Sequence, residues 1–150
     1  MNVKGVAAGL AVMSLLVSVP AQAAGMSQAE KLRRLDIMLM VTGLRCRNTS
    51  DNFQSDYGRF TTSHYKELQA AAAMRNQLAA HYGRAGADKA LDRLSVSMAN
   101  TYGQGHPWLN CAQLKQVTKS LAAVHGEAPL VAAADQLLAD NGTPQFAWAR

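Results

Sequence analysis

Apolar side chains recur every three or four positions through most of the chain, which is the spacing of amphipathic helices. A first helix is predicted to follow the capping-box spacing of Ser27 and Glu30 and to end near Arg45. A second, long helix is predicted over residues 53–82, with a kink at Gly58. Ser50 or Asp51 can serve as the N-cap of this second helix.

Three shorter helices are predicted in the second half of the chain. The third covers residues 87–102, after a break at residues 83–86. The fourth has Pro107 in its first turn and stops at Gly126, and a short fifth helix spans residues 129–140. Since no segment alternates apolar and polar residues as a strand would, we predict an all-α fold. Its expected architecture is an up-down-up-down four-helix bundle with a short fifth C-terminal helix and one disulfide.

The N-terminus has a different pattern, typical of a secretory signal. Lys4 is followed by a nearly continuous apolar run over residues 6–19, which is too short for a comfortable membrane span. Pro20 breaks the run, and the small residues of Ala21-Gln22-Ala23 suit a signal peptidase. We predict cleavage between Ala23 and Ala24 and a periplasmic product; a retained N-terminal anchor is the alternative.

The domain organisation follows from these patterns. Residues 1–23 are the predicted signal peptide, residues 24–142 the helical bundle domain, and residues 143–150 an irregular tail that contains Phe146 and Trp148.

The two cysteines, Cys46 and Cys111, are predicted to form a disulfide, because export places the chain in an oxidising compartment. In the predicted bundle the first helix ends at the pole where the fourth begins, so the two cysteines would be neighbours. Two free reactive thiols are the alternative.

Charge and motifs restrict the function. The formal charge is +5, and it becomes +4 without Lys4; this mild excess favours anionic surfaces but comes without the basic block of a nucleic-acid binder. The histidines have no metal-ligand spacing, and His64, on an apolar face, is expected to be a hydrogen-bonded core residue. We therefore expect no metal, no cofactor and no enzymatic activity. The remaining alternatives are an enzyme and a haem carrier that uses Met26 and His125.

Polar and aromatic residues collect at the disulfide pole of the predicted bundle, where two connections between helices also meet. Aromatic and arginine side chains often anchor interfaces, which makes this pole the candidate binding surface. Arg47 and His106 are expected to lie outside the core. The alternative is that these residues only cap helices and close the bundle end. The candidate surface consists of Arg47, Arg59, Tyr102, His106 and Trp108.

Two stretches resemble a group of small exported proteobacterial helical proteins of unknown function. They are Lys31–Arg47, which begins KLRRLD and ends LRCR, and Met98–Trp108, MANTYGQGHPW, which leads to Cys111. The resemblance implies export and a cysteine pair. Some members carry the name S-adenosylhomocysteine hydrolase. Proteins of that name are similar to large, two-domain, dinucleotide-binding enzymes. This chain has neither a Gly-x-Gly-x-x-Gly turn nor a strand to place it on, so we do not expect that activity.

A second similarity, in size, export and fold class, is to helical, disulfide-bonded periplasmic immunity proteins that block secreted toxins. The expected function is therefore that of a non-enzymatic envelope protein that binds a protein partner or an anionic envelope polymer. The alternative is an immunity protein or an inhibitor of a toxic enzyme.

Overall fold

Helices form most of residues 26–138, which are the residues that the computed structural model describes. No strand occurs within this range. The all-α class is therefore confirmed, as is the single disulfide. The predicted signal peptide, its cleavage site, residues 139–140 of the predicted fifth helix and the tail lie outside the described residues. The helices are α1 (Gln28–Cys46), α2 (Gln54–Ser63), α3 (Tyr65–Leu68), α4 (Ala70–Tyr102), α5 (Cys111–Ala123) and α6 (Glu127–Leu137).

Helix α1 lies at the centre of the bundle and packs against each of the other five helices. Its consecutive residues Ile37, Met38 and Leu39 are all buried, so more than one face of the helix is covered. A helix at the surface of a protein normally buries a single stripe. Gly43 lets the ring of Phe53 approach closely, because a Cβ at this position would lie 3.4 Å from that ring.

The caps differ from the prediction in detail. Ser27 Oγ accepts a hydrogen bond from the Glu30 N–H at 3.1 Å, as predicted. The Glu30 carboxylate does not reach back, because it accepts a bond from Arg34 Nε at 2.9 Å. The complete capping box belongs to α5, where Asn110 and Gln113 bond each other's main-chain N–H groups. The prediction that Pro107 opens this helix is therefore wrong.

The predicted long second helix is also wrong, because the chain leaves helical geometry at His64 rather than at Gly58. Gly58 lies inside the regular helix α2, whose N-cap is Phe53 and not Ser50 or Asp51. The His64 side chain is buried and bonded to α5, and this tertiary contact coincides with the bend.

A sharp turn divides α4 at Gly83, which has φ 74° and ψ 170°. Arg75 Nε and Asp88 Oδ1, on opposite sides of the turn, are 2.9 Å apart. In a straight helix the backbones of two residues 13 positions apart would be separated by about 20 Å. The two parts of α4 therefore fold back on each other, and we call residues 70–90 the outer hairpin. The predicted break at residues 83–86 is confirmed at Gly83.

Helix α6 packs on α1 through its buried residues Leu130, Ala134 and Leu137. Lys31 Nζ and Asp135 Oδ1 join the same two helices at 2.7 Å. Among residues 26–138, no helix combines the length and the apolar character that a membrane span needs.

Candidate functional site

Three of the five predicted site residues form a ring cluster rather than an open surface. The ring centroids of Tyr102 and His106 lie 5.5 Å apart, and those of His106 and Trp108 lie 4.5 Å apart. Only 8% of His106 is exposed, so the expectation that it lies outside the core is wrong. Tyr102 is buried and Trp108 is half-buried. This cluster therefore offers little ring surface to a partner.

Hydrogen bonds to both ring nitrogens explain why His106 is buried. Its Nε2–H donates to the Leu137 carbonyl at 3.1 Å, at the end of α6. Its Nδ1 accepts from the N–H groups of Trp108 and Leu109 at 3.4 and 3.3 Å. Main-chain N–H groups can only donate, so Nδ1 carries no proton in this arrangement. Burial lowers the pKa of His106, while the bond to Leu137 opposes that shift.

The disulfide joins Cys46 and Cys111 across 65 residues of sequence, with their Cα atoms 5.7 Å apart. The prediction that the end of the first helix and the start of the fourth are adjacent is confirmed. Arg47 follows Cys46 as the C-cap of α1, and its side chain is exposed.

Arg59 belongs to a different region, an open groove of about 800 Å³ between α2 and α5. We call this feature the α2–α5 groove. Helix α2 contributes one wall and the C-terminal half of α5 the other. The lining residues are Ser55, Gly58, Arg59, Thr62, Ser63, Lys119, Ala122 and Ala123.

The groove arises from the polar side of α2. Ser55, Arg59 and Thr62 are spaced i, i+4 and i+7, so they share one helix face. The small side chains of Ala122 and Ala123 leave space on the opposite wall. The apolar face of this segment predicted its helix, and Arg59 was the only residue lining the groove that was predicted as a site residue. The signal that could have found the groove was this polar stripe at helical spacing.

Arg59 is held in place by Asp56, three residues earlier on α2. The guanidinium Nη2 donates to the Asp56 carboxylate, which is only 3% exposed, while 68% of the Arg59 side chain is exposed. Asp56 lies in the first turn of α2, where the helix dipole favours a negative charge. A guanidinium has five N–H donors, so Arg59 can bond a ligand while remaining anchored to Asp56.

His64 joins the two walls of the groove. It is buried, and its Nε2–H donates to the Leu121 carbonyl at 2.7 Å, which confirms the prediction of a hydrogen-bonded core histidine. Leu121 lies in the last turn of α5, where carbonyl groups have no partner within the helix. The neighbouring residues Ser63 and Ala122 line the groove, so this bond fixes the spacing of its walls.

The groove therefore combines cationic donors, of which Arg59 is anchored, with acceptors. Arg59 and Lys119 supply positive charge, and each lies about one turn before the end of its helix. The ends of α2 and α5 provide main-chain carbonyl groups and a partial negative charge. A ligand that carries both acidic groups and hydroxyl groups would match this arrangement.

A second open groove, of about 500 Å³, lies between the start of α1 and residues 66–77. Its lining includes one cation, Lys66, but also Glu67 and Glu127, so it has no preference for anions. Within residues 26–138, no three His, Cys, Asp or Glu side chains come together as metal ligands would.

Comparisons with protein-family models, with curated proteins and with solved structures find no match to this chain. The chemistry of the α2–α5 groove is therefore the basis on which a function can be inferred.

Proposed function

We propose that this protein is an exported, non-enzymatic envelope protein that binds an anionic envelope polymer in the α2–α5 groove. One observation carries the proposal: the residues lining the groove include two cations and three hydroxyl side chains, and none of them is acidic. Burial of Asp56 beneath Arg59 leaves the guanidinium, and not the carboxylate, exposed to a ligand.

The shape of the groove favours a polymer over an enclosed small molecule. A small-molecule site usually buries most of its ligand in a concave pocket. The α2–α5 groove is open, so a segment of a polymer can lie in it while the rest of the polymer stays in solvent. Exposed charges attract weakly and are screened by salt, so we expect modest affinity that falls as ionic strength rises.

The oxidised Cys46–Cys111 pair supports the location, because disulfides persist in oxidising compartments such as the periplasm. The predicted leader with its Ala21-Gln22-Ala23 cleavage motif points the same way. The intact mass of protein recovered from the periplasm tests this part of the proposal. A mass that starts at Ala24 is expected, and a product that retains residues 1–23 would contradict it.

Binding to two polymers tests the groove. Polygalacturonate carries carboxylates and hydroxyl groups, whereas dextran carries hydroxyl groups alone. We expect the wild-type protein to bind polygalacturonate in a salt-sensitive way and to bind dextran much more weakly. The double variant Arg59→Gln, Lys119→Gln should bind polygalacturonate about tenfold more weakly, which corresponds to about 1.4 kcal/mol.

A matched control separates the groove from net charge. Lys89→Gln with Arg93→Gln removes two equally exposed cations from α4 and should leave affinity nearly unchanged. An equal loss in both double variants, or equal binding of dextran, would contradict the proposed groove.

A protein partner is the second candidate, and an exposed stripe on α1 favours it. Met40, Leu44 and Arg47 are spaced i, i+4 and i+7, and 47% of Leu44 is exposed on a helix whose apolar side chains other than Met40 and Leu44 are buried or half-buried. An apolar pair beside an arginine is a common composition for an interface.

Site-specific photo-crosslinking in intact cells distinguishes the two candidates. A photoreactive residue at position 44 should form a discrete protein adduct if α1 binds a partner, and the same residue at position 119 should not. An adduct from neither position, together with polygalacturonate binding, would leave the polymer as the ligand.

A further inference from the structure

The ring of His106 forms hydrogen bonds with two parts of the chain that are distant in sequence. On one side it holds the N–H groups of Trp108 and Leu109, in the loop between α4 and α5. On the other side it holds the carbonyl of Leu137, at the end of α6. The three bonds use both ring nitrogens, and the ring is stacked on Tyr102.

Only the neutral form of this ring fits its site. Protonation adds a hydrogen to Nδ1, which then faces two N–H donors and loses both bonds. The charged ring would also remain buried, which carries a desolvation cost. When the loop is open, by contrast, water hydrates the protonated ring, and its Nδ1–H no longer faces the two main-chain N–H groups.

No charge recorded around the ring in the described structure offsets this conflict. From α4 the ring meets the phenol of Tyr102, and from α6 it meets the Leu137 carbonyl. Asp135, the acidic residue near the end of α6, is paired with Lys31 on α1. The pKa of His106 is affected by burial, which lowers it, and by the Leu137 bond, with no carboxylate among the causes.

We propose that His106 is an acid-released clasp: its neutral ring fastens the loop of residues 103–110 to the end of α6, and its protonation frees both. The device is independent of the ligand proposed for the α2–α5 groove, since that groove uses different residues. It adds a pH-dependent opening at the C-terminal helix to a fold that the disulfide otherwise keeps closed.

The direction of the pH dependence follows from the lowered pKa. The closed form binds the His106 proton less readily than the open form, whose pKa is near the ordinary value of 6.5. The clasp is therefore fully stable above about pH 6.5 and weakens as pH falls toward the lower native pKa. One proton weakens it by up to about tenfold per pH unit over that window.

Amide hydrogen exchange, corrected for intrinsic rates, measures the clasp. From pH 7.5 to pH 5, protection factors of Leu109 and the last turn of α6 should fall by up to about tenfold per unit below pH 6.5. His106→Gln should keep its protection across this range, because a neutral carboxamide can donate to Leu137 and accept from the loop at every pH. The exposed control His125→Gln should behave like the wild type.

The buried His64 is present in all three proteins, so a loss of protection with the same slope in His106→Gln would assign the effect elsewhere and overturn the proposal. Ring-nitrogen NMR of the wild type gives a second test that needs no variant. It should show the Nε2–H tautomer of His106 at pH 7.5 and a titration midpoint below 6.5. A midpoint at or above 6.5, or full protection down to pH 5, would also overturn it.

Discussion

The molecule contains two regions that are held together in different ways. Helices α1, α2 and α5, which we call the cross-linked unit, are joined by the Cys46–Cys111 disulfide and by the bond from His64 to Leu121. The outer hairpin, residues 70–90, is closed by the exposed ion pair of Arg75 and Asp88. From residue 72 to residue 90, Met74 and Ala87 are the only buried residues.

This contrast indicates which part of the chain is held in one defined arrangement. The cross-linked unit combines a covalent bond, a buried polar bond and close packing, so its helices have one arrangement. The outer hairpin has helical residues but little buried apolar surface, and its shape depends on one glycine. Regions of this kind open locally at low free-energy cost. We therefore expect substitutions in the cross-linked unit to lower the free energy of unfolding several-fold more than matched substitutions in the outer hairpin.

Removal of the disulfide should have the largest effect. The double variant Cys46→Ala, Cys111→Ala should lower the free energy of unfolding by about 4 kcal/mol, because it frees a long loop in the unfolded chain. Urea unfolding followed by circular dichroism measures this. Reductant should destabilise the wild type and leave the variant unchanged. A loss of unfolding free energy under about 1 kcal/mol would contradict a dominant role of the disulfide in the cross-linked unit.

Matched leucine substitutions compare the packing of the two regions. Leu35→Ala, at a fully buried position of α1, should cost about 3 kcal/mol, since it removes contacts and leaves a cavity. Leu78→Ala, at a half-buried position of the outer hairpin, should cost about 1 kcal/mol. Equal losses of unfolding free energy would mean that the outer hairpin belongs to the same cooperative core.

Two glycine substitutions should have opposite signs. Gly83→Ala should cost about 1–3 kcal/mol, because φ 74° with ψ 170° is a conformation that only glycine adopts readily. Nothing lies within 4 Å of a Cβ at this position, so the cost is conformational and not steric. Gly58→Ala, in regular helix with equally open surroundings, should instead stabilise by about 0.5–1 kcal/mol. Thermal melts of both variants check the signs, and a neutral Gly83→Ala would contradict the described turn.

The smallest effect is expected for the ion pair that closes the outer hairpin. Both side chains are well exposed, at 45% and 55%, so solvent and salt screen their attraction. Arg75→Ala and Asp88→Ala should leave the melting temperature unchanged within error. The double variant Arg75→Ala, Asp88→Ala is the control. A clear loss of melting temperature in each single variant, with no further loss in the double variant, would show that the ion pair, and not Gly83, sets the turn.

The same contrast explains which features the sequence could predict. The 3.6-residue periodicity identified α1, and the paired cysteines placed its end beside the start of α5, because both signals are local or covalent. The break at His64 depends on a bond to Leu121, which lies 57 residues away, so periodicity could not reveal it. The reversal of the chain at residues 83–86 was predicted with the up-down-up-down arrangement, but periodicity could not show that Gly83 alone leaves helical geometry there.

The candidate site was only partly predictable for a related reason. Proximity to the disulfide suggested Tyr102, His106 and Trp108, but sequence alone does not show which side of a loop points inward. Arg59 was identified by residue type, yet its neighbour across the groove, Lys119, comes from a helix that pairs with α2 only in three dimensions.

Chemical-shift mapping during titration with a short oligogalacturonate tests the α2–α5 groove most directly. The proposal predicts amide shifts centred on Ser55, Arg59, Thr62 and Lys119, saturating together and reversed by salt, with no change in the outer hairpin. Shifts centred instead on Arg47 and Trp108, or spread evenly over every exposed cation, would contradict it.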